Sequence, residues 1–204
     1  LPSTHKIEDM RCQIIMASAV LTGVNPQYAG MARTTENFVK ETLHTIQKHY
    51  KDSDKMAWWG CGLIANLVQG CLLSNKALRD RIAKLVLDIA LSAKKTETAA
   101  TALIAIRTLG SHADGLESLI QQGLDQRVFD HLLSISSGFS LEKRRVEREA
   151  RLTLAALQRQ TTVDLDAHTP LILERDLSKV VEQDRAAEAE WQRRVKTASP
   201  SDPK

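Results

Sequence analysis

Trp58-Trp59-Gly60-Cys61-Gly62-Leu63-Ile64-Ala65-Asn66-Leu67-Val68 is apolar almost throughout, and it is echoed by Ala99–Gly110 and again by Ala150–Leu157. Each copy is dominated by Leu, Ile and Ala, which favours helix over strand. The first two copies lead through a polar turn into another helix that ends in an apolar cluster. A unit of this kind cannot bury its apolar face alone, so it has to stack on its neighbours. The pattern predicts an all-α array built by repetition, a form that commonly binds other macromolecules.

The composition agrees. Aromatics are only 4%, so the apolar 43% is carried mainly by aliphatic side chains suited to helix-on-helix packing. A chain of 204 residues is enough for one domain, or for a short array with a tail. The net charge of +3 is too small to indicate nucleic acid. Charge is balanced along most of the chain, but Glu142–Arg151 (EKRRVEREAR) concentrates five basic residues. Its simplest reading is a solvated helix face with pairs such as Glu147–Arg151; a patch for an anionic partner is the alternative.

Cys12, Cys61 and Cys71 are odd in number, widely spaced and embedded in apolar stretches. They are expected to be buried free thiols in a reducing compartment, so the chain is read as intracellular and cytoplasmic. No apolar run reaches the ~20 residues of a bilayer span. Ile14–Val24 has the length of a signal core, but Glu8, Asp9 and Arg11 crowd its start. The first residue is Leu1 and not Met, which reads as a fragment or processed form; an organelle or membrane-peripheral address would have to sit on a missing N-terminus.

Periodicity and breakers predict the elements. His5–Leu21 is a first helix stopped by Gly23 and Asn25-Pro26. Thr35–Tyr50 is a second, capped by Thr34 or Thr35, and a turn at 51–54 supplies Asp52 or Asp54 as cap for Met56–Val68. Ser74 caps Asn75–Leu91, which is expected to break into a short and a longer helix. Thr98–Leu109 follows a turn at 94–97, then Leu116–Gln121 closed by Gly123, Gln126–Ile135, a break at 136–138, and Leu141–Gln160. A polar linker at 161–169 leads into a charged amphipathic helix at 170–197, with Thr169 as cap and Pro170 at its first position. Leu177, Val181 and Trp191 lie on its apolar stripe and are expected to form a secondary contact, as a cap on the array or against a partner. Residues 198–204 read as a disordered tail.

These units resemble the armadillo repeat, a short helix, a second helix and a long third helix carrying a phrase close to A-L-x-N-L-A. Leu63-Ile64-Ala65-Asn66-Leu67 matches that phrase, Ala105-Ile106-Arg107-Thr108-Leu109 is the next copy, and Ile120-Gln121-Gln122-Gly123-Leu124 matches the family's I-x-x-G turn. Taking Asn66, Thr108 and Ala156 as equivalent gives intervals of 42 and 48 residues, close to the ~40–47 of armadillo and HEAT units. A weaker copy at Ile15–Val20 places a degenerate unit at the start. The resemblance implies a right-handed α-solenoid of three to four degenerate repeats over residues 1–160, with HEAT-like helix pairs as the variant reading.

In that family the third helices line a concave groove where Asn ladders hold an extended peptide and Trp residues four positions earlier pack its side chains. Here only Asn66 keeps the ladder, and the Trp position holds Gly62, Ile104 and Leu152. That departure argues against binding of a basic import signal. The simplest reading of the Trp pair is that both are buried; in the alternative, Trp58 packs and Trp59 faces the groove. The groove residues expected to meet a partner protein, as an extended segment or a helix, are Trp59, Asn66, Thr108, His112, Arg145 and Glu149.

Chemistry is poorly represented. GxxxxGK[ST], HExxH and GxSxG are absent, and Gly60-x-Gly62 lies inside an apolar helix, where close helix contact explains it. Asp164, Asp166 and His168 form the one acidic–His cluster, read as a polar loop. No enzyme activity, cofactor or metal is expected. The function expected is that of a scaffold, adaptor or non-catalytic subunit; the alternatives are an Hsp70 co-factor with an armadillo-like core, and a module for nucleic acid or acidic lipid.

Overall fold

A computed structural model of the chain describes residues 4–69, 74–135 and 141–164, and all regular structure among them is helical. The helices are α1 (Thr4–Val24), α2 (Pro26–Thr34), α3 (Glu36–His49), α4 (Asp54–Val68), α5 (Lys76–Ser92), α6 (Thr96–Gly110), α7 (Ala113–Gln121), α8 (Gln126–Ser134) and α9 (Leu141–Asp164). The expected helix at 170–197 and the tail at 198–204 lie outside the described residues, as do Leu177, Val181 and Trp191.

Local chemistry sets most boundaries. Asn25 accepts from the Gln27 amide at 2.9 Å and Pro26 opens α2, so the dipeptide read as a stop is also a start. Gly23, read as a breaker, stays helical within α1. Ser53, rather than either neighbouring aspartate, caps α4 through the Met56 amide. Asn75, rather than Ser74, caps α5 through the Leu78 amide. The expected break inside α5 does not occur: the segment contains no Gly or Pro, and Leu78, Ile82, Leu85, Val86 and Ile89 bury one continuous stripe. Gly123 takes φ +99 at the end of α7, a left-handed turn that favours glycine, and Asp125 caps α8. The helix α9 runs four residues into the expected linker, as no breaker stands between Gln160 and Asp164.

Packing follows a simple order: α4 lies between α1 and α6, and α6 lies between α4 and α9. These four helices point the same way. Lys95 reaches Asp54 at 3.2 Å, joining the starts of α6 and α4, and His112 Nε2 lies 3.3 Å from the Val68 carbonyl, joining their ends. Asn66 meets Ala19 and Thr22 near the end of α1, while Lys55 lies near Cys12 further up. Thr153 donates to the Leu103 carbonyl at 3.0 Å, and Leu157 fills the space beside Gly110, which relates α9 to α6 in the same sense.

Bonds between adjacent helices recur at similar sequence distances: 47 residues for Asn66 to Ala19, 44 for His112 to Val68, 42 for Arg107 to Glu149 and 50 for Thr153 to Leu103. On the other side of the core, α5 contacts α3, α6, α7 and α8. Ser118 donates to Asp80 at 2.7 Å, Arg79 pairs with Asp114 at 3.2 Å and Lys76 donates to Gln121 at 3.2 Å, tying α5 to α7. The core between the layers is built from fully buried aliphatic side chains such as Leu43, Ile46, Leu63, Ile64, Ile82, Leu103, Ile106 and Leu109, with Phe129.

Candidate partner-binding face

The accessible edge of α4 carries Lys55, the adjacent Trp58 and Trp59, Gly62 and Asn66, with Lys55, Trp59, Gly62 and Asn66 at helical spacings of four, three and four. The two indole rings sit 4.6 Å apart at 31°, and both residues are half-buried. Trp59 packs against the core with part of its surface while the rest stays accessible. A Cβ on Gly62 would stand 3.8 Å from the Thr101 methyl, an ordinary contact, whereas one on Gly60 would come within 2.8 Å of Ile46. Close helix contact therefore accounts for Gly60 alone.

Most polar residues of the expected groove are engaged within the chain. Asn66 donates to the Ala19 carbonyl at 2.8 Å and to the Thr22 hydroxyl at 3.3 Å. Thr108 donates to the Ile104 carbonyl of its own helix at 2.8 Å. The His112 imidazole donates to the Val68 carbonyl, and Arg33 donates to the Leu67 and Gln69 carbonyls at 3.3 and 2.8 Å. Between them, Arg33 and His112 bond carbonyls at the end of α4, where a helix has no donors of its own to offer. Glu149 is bound to Arg107 at 2.7 Å, a charge-assisted bond joining α9 to α6. Arg145 is exposed.

Position matters as much as partners. The three residues at the family-like Trp position are all accessible: Gly62 and Ile104 are half-buried, and Leu152 is 44% exposed. Leu152 and the half-buried Trp58 lie on the surface outside the expected groove set, and the register of the repeated phrase points to Leu152. Arg107 and Arg33 gave no signal, because their partners lie 34 to 42 residues away.

Burial pushes the Cys61 thiol up to about 12, and the Cys12 thiol is also raised, by burial first, with Lys55 acting the other way. Cys71 lies outside the described residues. Of the Asp164, Asp166 and His168 cluster, only Asp164 is described, at the end of α9. Among the described residues no three His, Cys, Asp or Glu side chains are grouped to hold a metal ion, and no helix is long and apolar enough to cross a membrane. Compared with known protein families, curated proteins and solved structures, the chain matches none.

Proposed function

We propose that this chain is an armadillo-like solenoid acting as a protein-interaction scaffold, adaptor or non-catalytic subunit, and that it receives a helix of its partner on the exposed edges of α4, α6 and α9. The reading is supported above all by the sequence distances of the bonds between parallel neighbours, 42 to 50 residues, the range that stacked units of about one repeat length produce. An extended peptide needs donors and acceptors for its main chain. The donors of Asn66 and Thr108 already serve carbonyls of this chain, so the face is poor in ladder groups. A partner helix satisfies its own backbone and asks only for apolar contact and charge at the rim. Trp58, Gly62, Ile104 and Leu152 supply the first, and Arg145 the second.

The experiment is a pull-down with the full chain against Leu152→Glu and Trp58→Ala variants, with thermal melting of each as control. Loss of the same partners from both variants, at unchanged melting temperature, supports the reading. Equal recovery of all partners discards it. The exposed Arg144, Arg145 and Arg148 favour a second reading, an anionic surface as partner; binding that weakens steeply between about 50 and 200 mM salt would mark that case.

A further inference from the structure

The helix α1 has two apolar sides, and the described residues cover one of them. Ile15, Ala19 and Thr22 are buried on the side facing α4. Opposite them run Met10, Ile14, Ala17, Leu21 and Val24, at successive spacings of 4, 3, 4 and 3 residues, the repeat of a coiled-coil seam. Met10 is 53% exposed, Ile14 55%, Leu21 51% and Val24 73%, and Met16 and Val20 extend the patch on its flank.

We propose that this stripe is a self-association surface, on which α1 of a second copy of the chain docks antiparallel with Ala17 at the dyad. The stripe is close to palindromic about Ala17. Met10 and Val24 lie seven residues to either side, and Ile14 and Leu21 lie three and four. A twofold axis through Ala17 thus sets Met10 against Val24 and Ile14 against Leu21, with the smallest side chain where the backbones come closest. An isologous interface needs this self-complementarity.

Charge points the same way. No charged residue occurs from Cys12 to Ala32, so the middle of the seam has no like charges to oppose a second copy and no charges to select a different partner. The area is of the right order. Six large side chains, each more than a third exposed, present on the order of several hundred Å². That exceeds what scattered surface residues account for and approaches the ~800 Å² per partner of a standard interface. Tyr28 and Met31, exposed on α2, add to the apolar surface of this end of the chain.

The test is the mass of the full chain in solution by sedimentation equilibrium across the micromolar range. Twice the monomer mass is expected for wild type, and the monomer mass for Ile14→Glu/Leu21→Glu with an unchanged far-ultraviolet circular dichroism spectrum. A wild-type monomer throughout, or a double variant that folds and still dimerises, overturns the proposal. Should the double variant fail to fold, Ala17→Cys in a Cys12→Ser/Cys71→Ser background decides. Oxidation is expected to join two copies through residue 17 as a disulfide-linked dimer, and a chain that stays uncrosslinked rejects the dyad.

Discussion

Asn66 crosses from α4 to α1 and donates its side-chain amide to the Ala19 carbonyl at 2.8 Å, beside the one residue of that turn with no side chain, Gly23. A Cβ on Gly23 would stand 3.1 Å from the Asn66 nitrogen. The Thr22 hydroxyl takes the remaining amide hydrogen and itself donates to Ser18. The residue that most resembles a peptide-binding ladder is thus a tie between two helices of the same chain. Asn66→Ala is expected to lower stability by about 1–2 kcal/mol, the cost of losing such bonds at a part-buried site. Asn66→Asp is expected to lower it at least as much, since the donors go and a carboxylate faces a carbonyl. Urea unfolding checks both, and full stability in both variants would refute the tie.

Gly60 and Ile46 form a second tight pair. A methyl group at Gly60 meets the Ile46 Cγ2 at 2.8 Å, inside the distance real side chains tolerate. Gly60→Ala is expected to destabilise by about 1–3 kcal/mol through overpacking. In a double-mutant cycle with Ile46→Ala the two costs are expected to be less than additive, because the smaller partner makes room. Strict additivity would mean the two side chains do not meet.

The Arg107–Glu149 pair is partly shielded from solvent and its 2.7 Å bond holds α9 to α6. Glu149→Ala is expected to cost about 1–2 kcal/mol, more than a freely exposed pair would. The cost should shrink in an Arg107→Ala background. Chemical denaturation of the four variants in the cycle gives the coupling directly.

Cys61 makes a pH prediction. Its thiol is raised from an ordinary 9.0 to about 12 in the folded chain. Between those values the unfolded thiol has lost its proton while the folded one keeps it, so the folded state binds more protons. Stability is then expected to be unaffected by this group below pH 9 and to fall as pH rises towards 12, at no more than about 1.4 kcal/mol per pH unit. Comparison of wild type with Cys61→Ala checks the slope. At neutral pH, peptide mapping after brief maleimide treatment is expected to find Cys61 unlabelled until the chain unfolds.

Much of the fold is legible along the chain because helix periodicity is local. The repeated phrase located α4, α6 and α9, and Gly123 marked the end of α7. The misses have physical causes. The helix α2 is short and its only buried residue is Ala29, so it shows little periodicity, and Asn25-Pro26 signals a helix end as readily as a helix start. At Ser53 and Asn75 several capping residues stood side by side, and backbone geometry chose among them. The candidate face was harder. The chemistry of Asn66, Thr108 and His112 was visible, but the carbonyls that engage them are placed by packing, two of the three on another helix.

Each bond described between the parallel helices hands over to the next helix along, so a push on α1 is passed to α9 through α4 and α6 in turn, beside a second route through α5, α7 and α8. Bending of such a stack is the sum of small rotations at three successive seams. Each seam has its own fastening: Asn66 to Ala19, Lys95 with His112, and Arg107 with Thr153. Weakening one of them should change the compliance of the whole stack like that of a spring with one softened coil, while the other two seams keep their geometry.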